Sequence, residues 1–547
     1  MTRAGDSTPG LVARVVPDVT GLDKQFDYLV PDDLRDTVAV GSLVRVELHG
    51  RRVGGWVVSL GDPDPSVPRL VPLARFSSIG PPADVVELAG WAARRWGAPR
   101  VRPFLVVASP PTMVKALPSA RRTVPSRVVA DEGAVVATAP LTDPLPMLVE
   151  RAAHGPMIVV HPTPAAARAI ANRLRRTGLS VALLPEGWAA AAAGVDVVVG
   201  GRSAVWAPCP GLATLVVLDE HDESLQDERT PTWHARDVAI ERCRRAAAAC
   251  VLVSPCPTLT AVEWAGSALR PMSGTWPRIT VVDRSADEPW RRSLLTSELI
   301  AHLRVPGRRV VCVMNTTGRA RLLACRRCRA LQRCERCDAS VAQTDDSSLS
   351  CGRCGTTRPQ VCQACAATAM AVVRPGVTKL REELEAAANR AVGAVTGATD
   401  ELPDCAVLVG TEAVLHRVRG ADVVAFLDFD AELLAPRYRA AEQAMALLVR
   451  AGRLVGAPEL GGEVLVQTFE PGHPVLRAAF SGDLEELRAS EAARRRMLGL
   501  PPYRALALVD GAGAAEFVAA TRHAPAPPRH HGLLRAVPWQ QLGGAQA

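Results

Sequence analysis

CRRCRALQRCERC, residues 325–337, carries four cysteines in thirteen positions, with arginine at five of the others. Two more C-x-x-C turns follow, Cys351/Cys354 and Cys362/Cys365, so eight of the fourteen cysteines lie within residues 325–365. Such a turn directs two thiolates at one ion about 2.3 Å away, and two turns complete a tetrahedron. A single turn can be a redox pair, but four in this span read as metal ligands. A disulfide framework needs an oxidising compartment, and the opening MTRAGDSTPGLVARVV lacks the apolar core of a secretory leader. The stretch is therefore half of two four-cysteine sites, with zinc the expected ion.

Four turns can pair in three ways. Only RALQR separates the first two turns, too little chain for a ribbon between them. A nested arrangement is the preferred one: Cys325, Cys328, Cys362 and Cys365 would hold the first zinc, and Cys334, Cys337, Cys351 and Cys354 the second. Neither site keeps an open position, so both are expected to be structural. Cys209, Cys243, Cys250, Cys256, Cys312 and Cys405 sit among apolar residues and read as small buried hydrophobes.

A chain of 547 residues needs several cores. Its 48% hydrophobic and 22% charged composition is globular, and no run of eighteen apolar residues suggests a membrane span. A net charge of +8 permits nucleic-acid binding without requiring it. VARVVPDV, SLVRVELHG and GGWVVSL read as strands of a small β-rich domain, and VVELAGWAARRWG as a helix. From PMIVVHP through VDVVVGG, TLVVLDE and CVLVSP, and again from RRVVCVMN to GEVLVQTF, short apolar strands alternate with helical segments. That pattern is α/β with parallel sheets, in two lobes.

TLVVLDEHDE, residues 214–223, ends a strand in acids, and Asp219 and Glu220 stand where nucleotide hydrolases hold Mg²⁺. The phosphate cradle G-x-x-x-x-G-K-[ST] can be searched completely, because lysine occurs only at Lys24, Lys115 and Lys379. None follows the required glycine or precedes Ser or Thr. The chain has no P-loop of that form. Arg450 and Arg453, in LLVRAGRLVG, are candidate arginine fingers that would have no cradled phosphate to act on, and a structural role is expected. His221, His234 and His416 are expected to be structural or at the surface.

KQFDYLVP, VGSLVRVELHG, VGGRSAVWAP, VVLDEHDE, TWHARD, NTTGRA, the eight-cysteine insert, VLVGTEAV, LDFDAELLAPRYRAAEQ, RAGR and LGLPPYRALAL, in this order, resemble the bacterial PriA (primosomal protein N′) replication-restart family over roughly residues 10–510. The resemblance implies a multidomain α/β protein. Residues 1–108 would form a small β-rich DNA 3′-end-binding domain, and 109–145 a proline-rich linker in place of a winged helix. Residues 146–295 would form a degenerate helicase-like lobe without a phosphate loop, and 296–324 with 366–475 a second. The zinc insert would span 325–365, and a truncated C-terminal domain and tail 476–547.

By that resemblance, Phe26, Asp27 and Gly50 would bind DNA: Asp27 accepting from a terminal 3′-hydroxyl, Phe26 offering a stacking face, and Gly50 letting backbone approach. A lysine of the family falls near Val71, with Arg69 the nearest cation. DEHD, VSPCPTL and RAGRLVG depart from the helicase motifs. They imply a helicase-motif-deficient, actinobacterial-type member with Asp219 and Glu220 as vestiges, no catalytic residue, two Zn²⁺, and ATP at most vestigial. The expected partners are branched forks, single-stranded DNA, primosome proteins, the replicative helicase or its loader, and single-stranded-DNA-binding protein. The expected place is the cytoplasm, at the nucleoid. Two other readings compete: an active ATP-dependent 3′–5′ helicase with a non-standard nucleotide site, and a zinc-dependent protein-docking scaffold.

Overall fold

The computed structural model describes residues 10–504 other than 23, 63–69, 124–132, 228, 230, 272–273, 286–293, 315–322, 329, 345–347, 373–376, 396–398 and 400. The described chain divides into two compact units, one of residues up to 135 with 144–253, the other of 136–143 with 254 onward.

The first unit begins with five antiparallel strands in the order Phe26–Leu29, Val12–Pro17, Arg51–Gly61, Leu43–Leu48, Arg75–Ser78. Leu29 N–H donates to Val71 O at 3.0 Å, and Leu73 N–H to Leu29 O at 2.9 Å. The two ends of the sheet are thereby joined across a bridge at Leu29–Pro72. Alternation sends Ala13, Val15, Tyr28, Val44, Val46 and Val57 inward to a common core. The helices Ala83–Arg95 and Arg102–Ala108 follow.

The same unit contains a parallel sheet in which Ala249–Ser254, Thr214–Leu218, Met157–Val160, Val197–Gly200 and Val181–Leu183 lie side by side. The three inner strands are buried on both faces, which explains their unbroken Val/Ile/Leu composition. Trp206, fully buried, stands edge-on to Trp233 at 5.6 Å and lies 5.7 Å from Phe104. The Trp188 indole N–H donates to Ala108 O at 2.9 Å. Helix Arg102–Ala108 is thus built into the lobe, and residues 109–123 after it carry no helix or strand.

In the second unit, Ile279–Asp283, Glu463–Thr468, Val423–Phe426, Val310–Val313, Val407–Gly410 and Val392–Val395 form a parallel six-stranded sheet in that order. Helix Ala440–Val455 covers it with ten buried residues. The cysteine insert lies between the strand Val310–Val313 and the helix Val377–Ala388.

Two expected boundaries move. The span 109–145 contains the strand Ala134–Ala137 and the first residue of the helix Leu145–Ala152, because AVVA is apolar enough to be buried despite its proline-rich surroundings. The span 476–547 starts as part of the second lobe, since Leu476, Leu484 and Leu487 of helices Pro474–Ser481 and Glu485–Leu498 and the turn between them join its core. The tail and the NTTGRA stretch lie outside the described residues. Among the described residues, no helix is long and apolar enough to cross a membrane.

Candidate functional site

The eight cysteines come together as two sets, Cys325/Cys328/Cys362/Cys365 and Cys334/Cys337/Cys351/Cys354, each with its sulfurs within 4.8 Å of one another. Sulfur pairs such as Cys325–Cys365 and Cys337–Cys351 stand 3.5 Å apart. That is far beyond a disulfide bond of about 2.05 Å. It is close to the edge, about 3.8 Å, of a tetrahedron built on 2.3 Å zinc–sulfur bonds. The donor set therefore fits a tetrahedral thiophilic ion, and the nested pairing is the one the structure adopts.

All four turns repeat one backbone pattern. The N–H of the first cysteine donates to the carbonyl five residues on: Cys325 to Ala330, Cys334 to Ala339, Cys351 to Thr356 and Cys362 to Ala367, at 2.8–3.0 Å. In three of them the residue after the second cysteine is left-handed, at φ 60° for Asp338, 72° for Gly355 and 59° for Ala366; the corresponding residue of the first turn, 329, is outside the described residues. Gly and Asp tolerate this conformation, whereas left-handed Ala366 costs about 1–2 kcal/mol. The contact with Cys337, and the Arg353 and Cys354 N–H groups, lower the Cys351 pKa to about 5 against the effect of burial.

The inner set is also tied to the second lobe. Arg353, between its last two cysteines, donates to Arg437 O at 3.0 Å, Ala435 O at 2.8 Å and Cys337 O at 3.1 Å. Ser340 N–H donates to Leu434 O at 2.7 Å. Gln332 reaches the outer set, its amide 3.5 Å from Cys362 Sγ. Sequence reasoning missed both side chains; the arginine inside C-x-x-C was the available signal, but it read equally well as a solvated face.

Ahead of helix Leu145–Ala152 the chain runs through strand Ala134–Ala137 and loop 138–144. Pro140, Pro144 and Pro146 have no N–H to offer a phosphate, and neither glycine nor lysine occurs in the loop. Thr138 N–H donates to Ser254 O at 3.0 Å. A Cβ on Gly274 would fall 2.5 Å from Thr142 Oγ1 and 2.8 Å from Ala139 Cβ, so that backbone presses on the loop. Arg453 Nε donates to Pro140 O at 3.0 Å, and Arg450 meets His416 Nδ1 at 2.9 Å.

Asp219 follows its strand at φ +50° with His161 Nε2 3.8 Å from its carboxylate. Glu220 is buried and paired with Arg236 at 2.6 Å. His234 caps helix Ala235–Ala246 by accepting from Arg236 N–H, a structural role as expected. His221 is buried. Five of the six scattered cysteines are buried and Cys405 is half-buried.

In the N-terminal sheet Asp27 stands directly across from Arg14, whose Nε and Nη2 donate to its two oxygens at 2.9 and 3.1 Å. Phe26 points the other way and is half-buried against the sheet's core, which leaves little ring face for stacking. Gly50 takes φ +75° after His49 at +50°, a two-residue turn joining Leu48 to Arg51. The Tyr28 hydroxyl donates to Glu47 O at 3.0 Å, bringing that hairpin to the Phe26–Leu29 strand. Arg69 lies outside the described residues, and Val71 is exposed.

Residues 14–107 match the family model of the PriA 3′ DNA-binding domain (3′BD). The replication restart protein PriA of Bacillus subtilis (strain 168) is 28% identical over 346 residues, 58% of this chain and 43% of that protein. The chain thus matches less than half the length of that relative. The probable replication restart protein PriA of Mycobacterium tuberculosis (strain CDC 1551 / Oshkosh) is 28% identical over 582 residues, 90% of this chain and 85% of the relative. Among solved structures, S. cerevisiae Dbp5 bound to RNA and ADP BeF3 covers 77% of this chain and 98% of its own at 11% identity, with a TM-score of 0.35. The PriA 3′-end domain model thus matches the start of the chain, and PriA relatives match it along most of its length.

Proposed function

We propose that the chain recognises branched DNA by a 3′ end and acts as a platform that recruits primosome proteins and the replicative helicase, without an ATP-driven motor of its own. The observation that carries the motorless part is the loop 138–144. A phosphate loop works through clustered backbone N–H groups and a lysine. This one has prolines at 140 and 144, with Pro146 just beyond, and its Pro140 carbonyl is bonded by Arg453. Two zinc ions held by the cysteine sets would supply structural crosslinks only, since each set uses all four positions.

Purified protein is expected to show no ATP hydrolysis above background, with or without a fork carrying a leading-strand 3′ end, while binding that fork. Affinity should fall steeply with salt, because arginine–phosphate contacts release counterions. Fork-stimulated hydrolysis lost in Asp219→Asn would instead establish a working nucleotide site. Asp27→Ala is expected to weaken binding to a 3′-ended fork by roughly tenfold, the worth of one hydrogen bond to a charged group. Unchanged fork binding in that variant, measured by anisotropy, would remove Asp27 from the reading.

A further inference from the structure

Val16 and Gln25 follow Val15 and precede Phe26, which are partners in the first ladder of the N-terminal sheet. By alternation they share the outer face with the Arg14–Asp27 pair. Beside them, between the sheet and the two helices, lies a cleft of about 270 Å³ lined also by Arg94, Arg100 and Arg102. No carboxylate among the described residues lines it. Arg102 is held by Asp18, Nε to Oδ1 at 2.7 Å, so its guanidinium is fixed at the rim. Arg100 Nε is shielded from solvent with no hydrogen-bond partner among the described residues. An unsatisfied buried cationic donor costs free energy unless an acceptor is bound.

We infer that this cleft is a phosphate subsite of the 3′-end domain, taking a backbone phosphate of the strand that ends at Asp27. Gln25 immediately precedes the strand Phe26–Leu29 and Asp27 is its second residue, a separation of about 6.6 Å in extended chain, the scale of one nucleotide. Arg94 and Arg100 supply the charge and the open donors, and the Asp18-held Arg102 supplies a fixed wall. This rests on the proposal that the protein binds 3′-ended DNA. It adds which side chains hold the strand's charge, a role that composition alone leaves spread over 64 basic residues.

The test compares two forks by anisotropy across a salt series, one with the leading-strand 3′ end at the branch and one lacking it. Arg100→Gln and, separately, Arg94→Gln are expected to bind the 3′-ended fork about tenfold more weakly at moderate salt. The slope of log affinity against log salt should fall by about 1 for each lost contact. Binding to the fork lacking the end should stay unchanged. Both side chains are at least partly exposed, and equal melting temperatures would confirm intact folding; if one variant melts early, the other carries the test. Equal losses on both forks, or none, would overturn the subsite. Wild-type protein that ignores the 3′ end would overturn the functional reading itself.

Discussion

Cys351→Ser should leave the protein with one equivalent of zinc instead of two and melt its second lobe well below the wild-type temperature. Structural zinc contributes an apparent folding free energy of about 10–16 kcal/mol, because the site exists only when the chain is folded around it. Here the inner set is the one that transmits that loss. Cys334, Cys337 and Cys351 are buried together with Leu323, Ala339, Val341 and Leu349. Arg353, in the same knuckle, donates to two carbonyls of the lobe at 435 and 437. In the outer set Cys328 is exposed and Cys365 half-buried, with a smaller apolar surround. Cys365→Ser should therefore also lose one zinc but lower the melting temperature less. Metal content by elemental analysis, with calorimetry on the two variants, decides the matter. Equal melting shifts would refute the coupling through Arg353, and an unchanged metal content in either would refute the site.

The contrast between the two sets also shows what the sequence made legible. Strands such as Thr214–Leu218 and Val407–Gly410 could be read directly, because burial on both faces leaves a bare apolar run with no polar alternative. The nested cysteine pairing could be read because connection length restricts which turns meet. Arg353 could not: the same residue between two cysteines serves equally well in solvent, and only the fold places carbonyls within its reach. The strand Ala134–Ala137 was missed for a related reason: it is four residues long, set in proline-rich surroundings, and its hydrogen bonding to the rest of the fold is not written in its sequence. Phe26 and Asp27 were placed by resemblance as neighbours in one pocket. Their opposite directions follow from strand alternation once the ladder with Val12–Pro17 is known.

Arg495→Met is expected to destabilise the second lobe by about 3–5 kcal/mol, the usual result of leaving one partner of a buried ion pair without the other. Arg495, 1% exposed on helix Glu485–Leu498, lies 2.9 Å from Glu442 and 3.6 Å from Glu491, with its guanidinium 5.1 Å from the Tyr438 ring. Its Nη2 approaches Glu442 away from the hydrogen-bonding direction, so the link is chiefly Coulombic. Glu442 also accepts from Leu259 N–H and from Arg439 Nε, both at 2.8 Å. One carboxylate thus joins three segments of the lobe. Burial alone would raise its pKa, but Arg495 and Arg439, with the Leu259 N–H, hold it down at about 2. A carboxyl near 4.5 unfolded and near 2 folded contributes about 3 kcal/mol above pH 5, and loses it as the pH falls toward 2. Wild-type stability should therefore drop through that window, and Arg495→Met, already lacking the principal cation, should drop less. Glu442→Leu alone should be at least as damaging, since it leaves Arg439 and the Leu259 N–H without their acceptor and Arg495 without its nearer carboxylate. Combining Arg495→Met with Glu442→Leu should recover part of the loss, because two apolar residues of similar size remove the unpaired charge. Denaturant melts of the three variants at pH 7 and pH 4 test this. If Arg495→Met costs under about 1 kcal/mol, the range of an exposed pair, or if its pH dependence matches the wild type, the network does not hold these helices together.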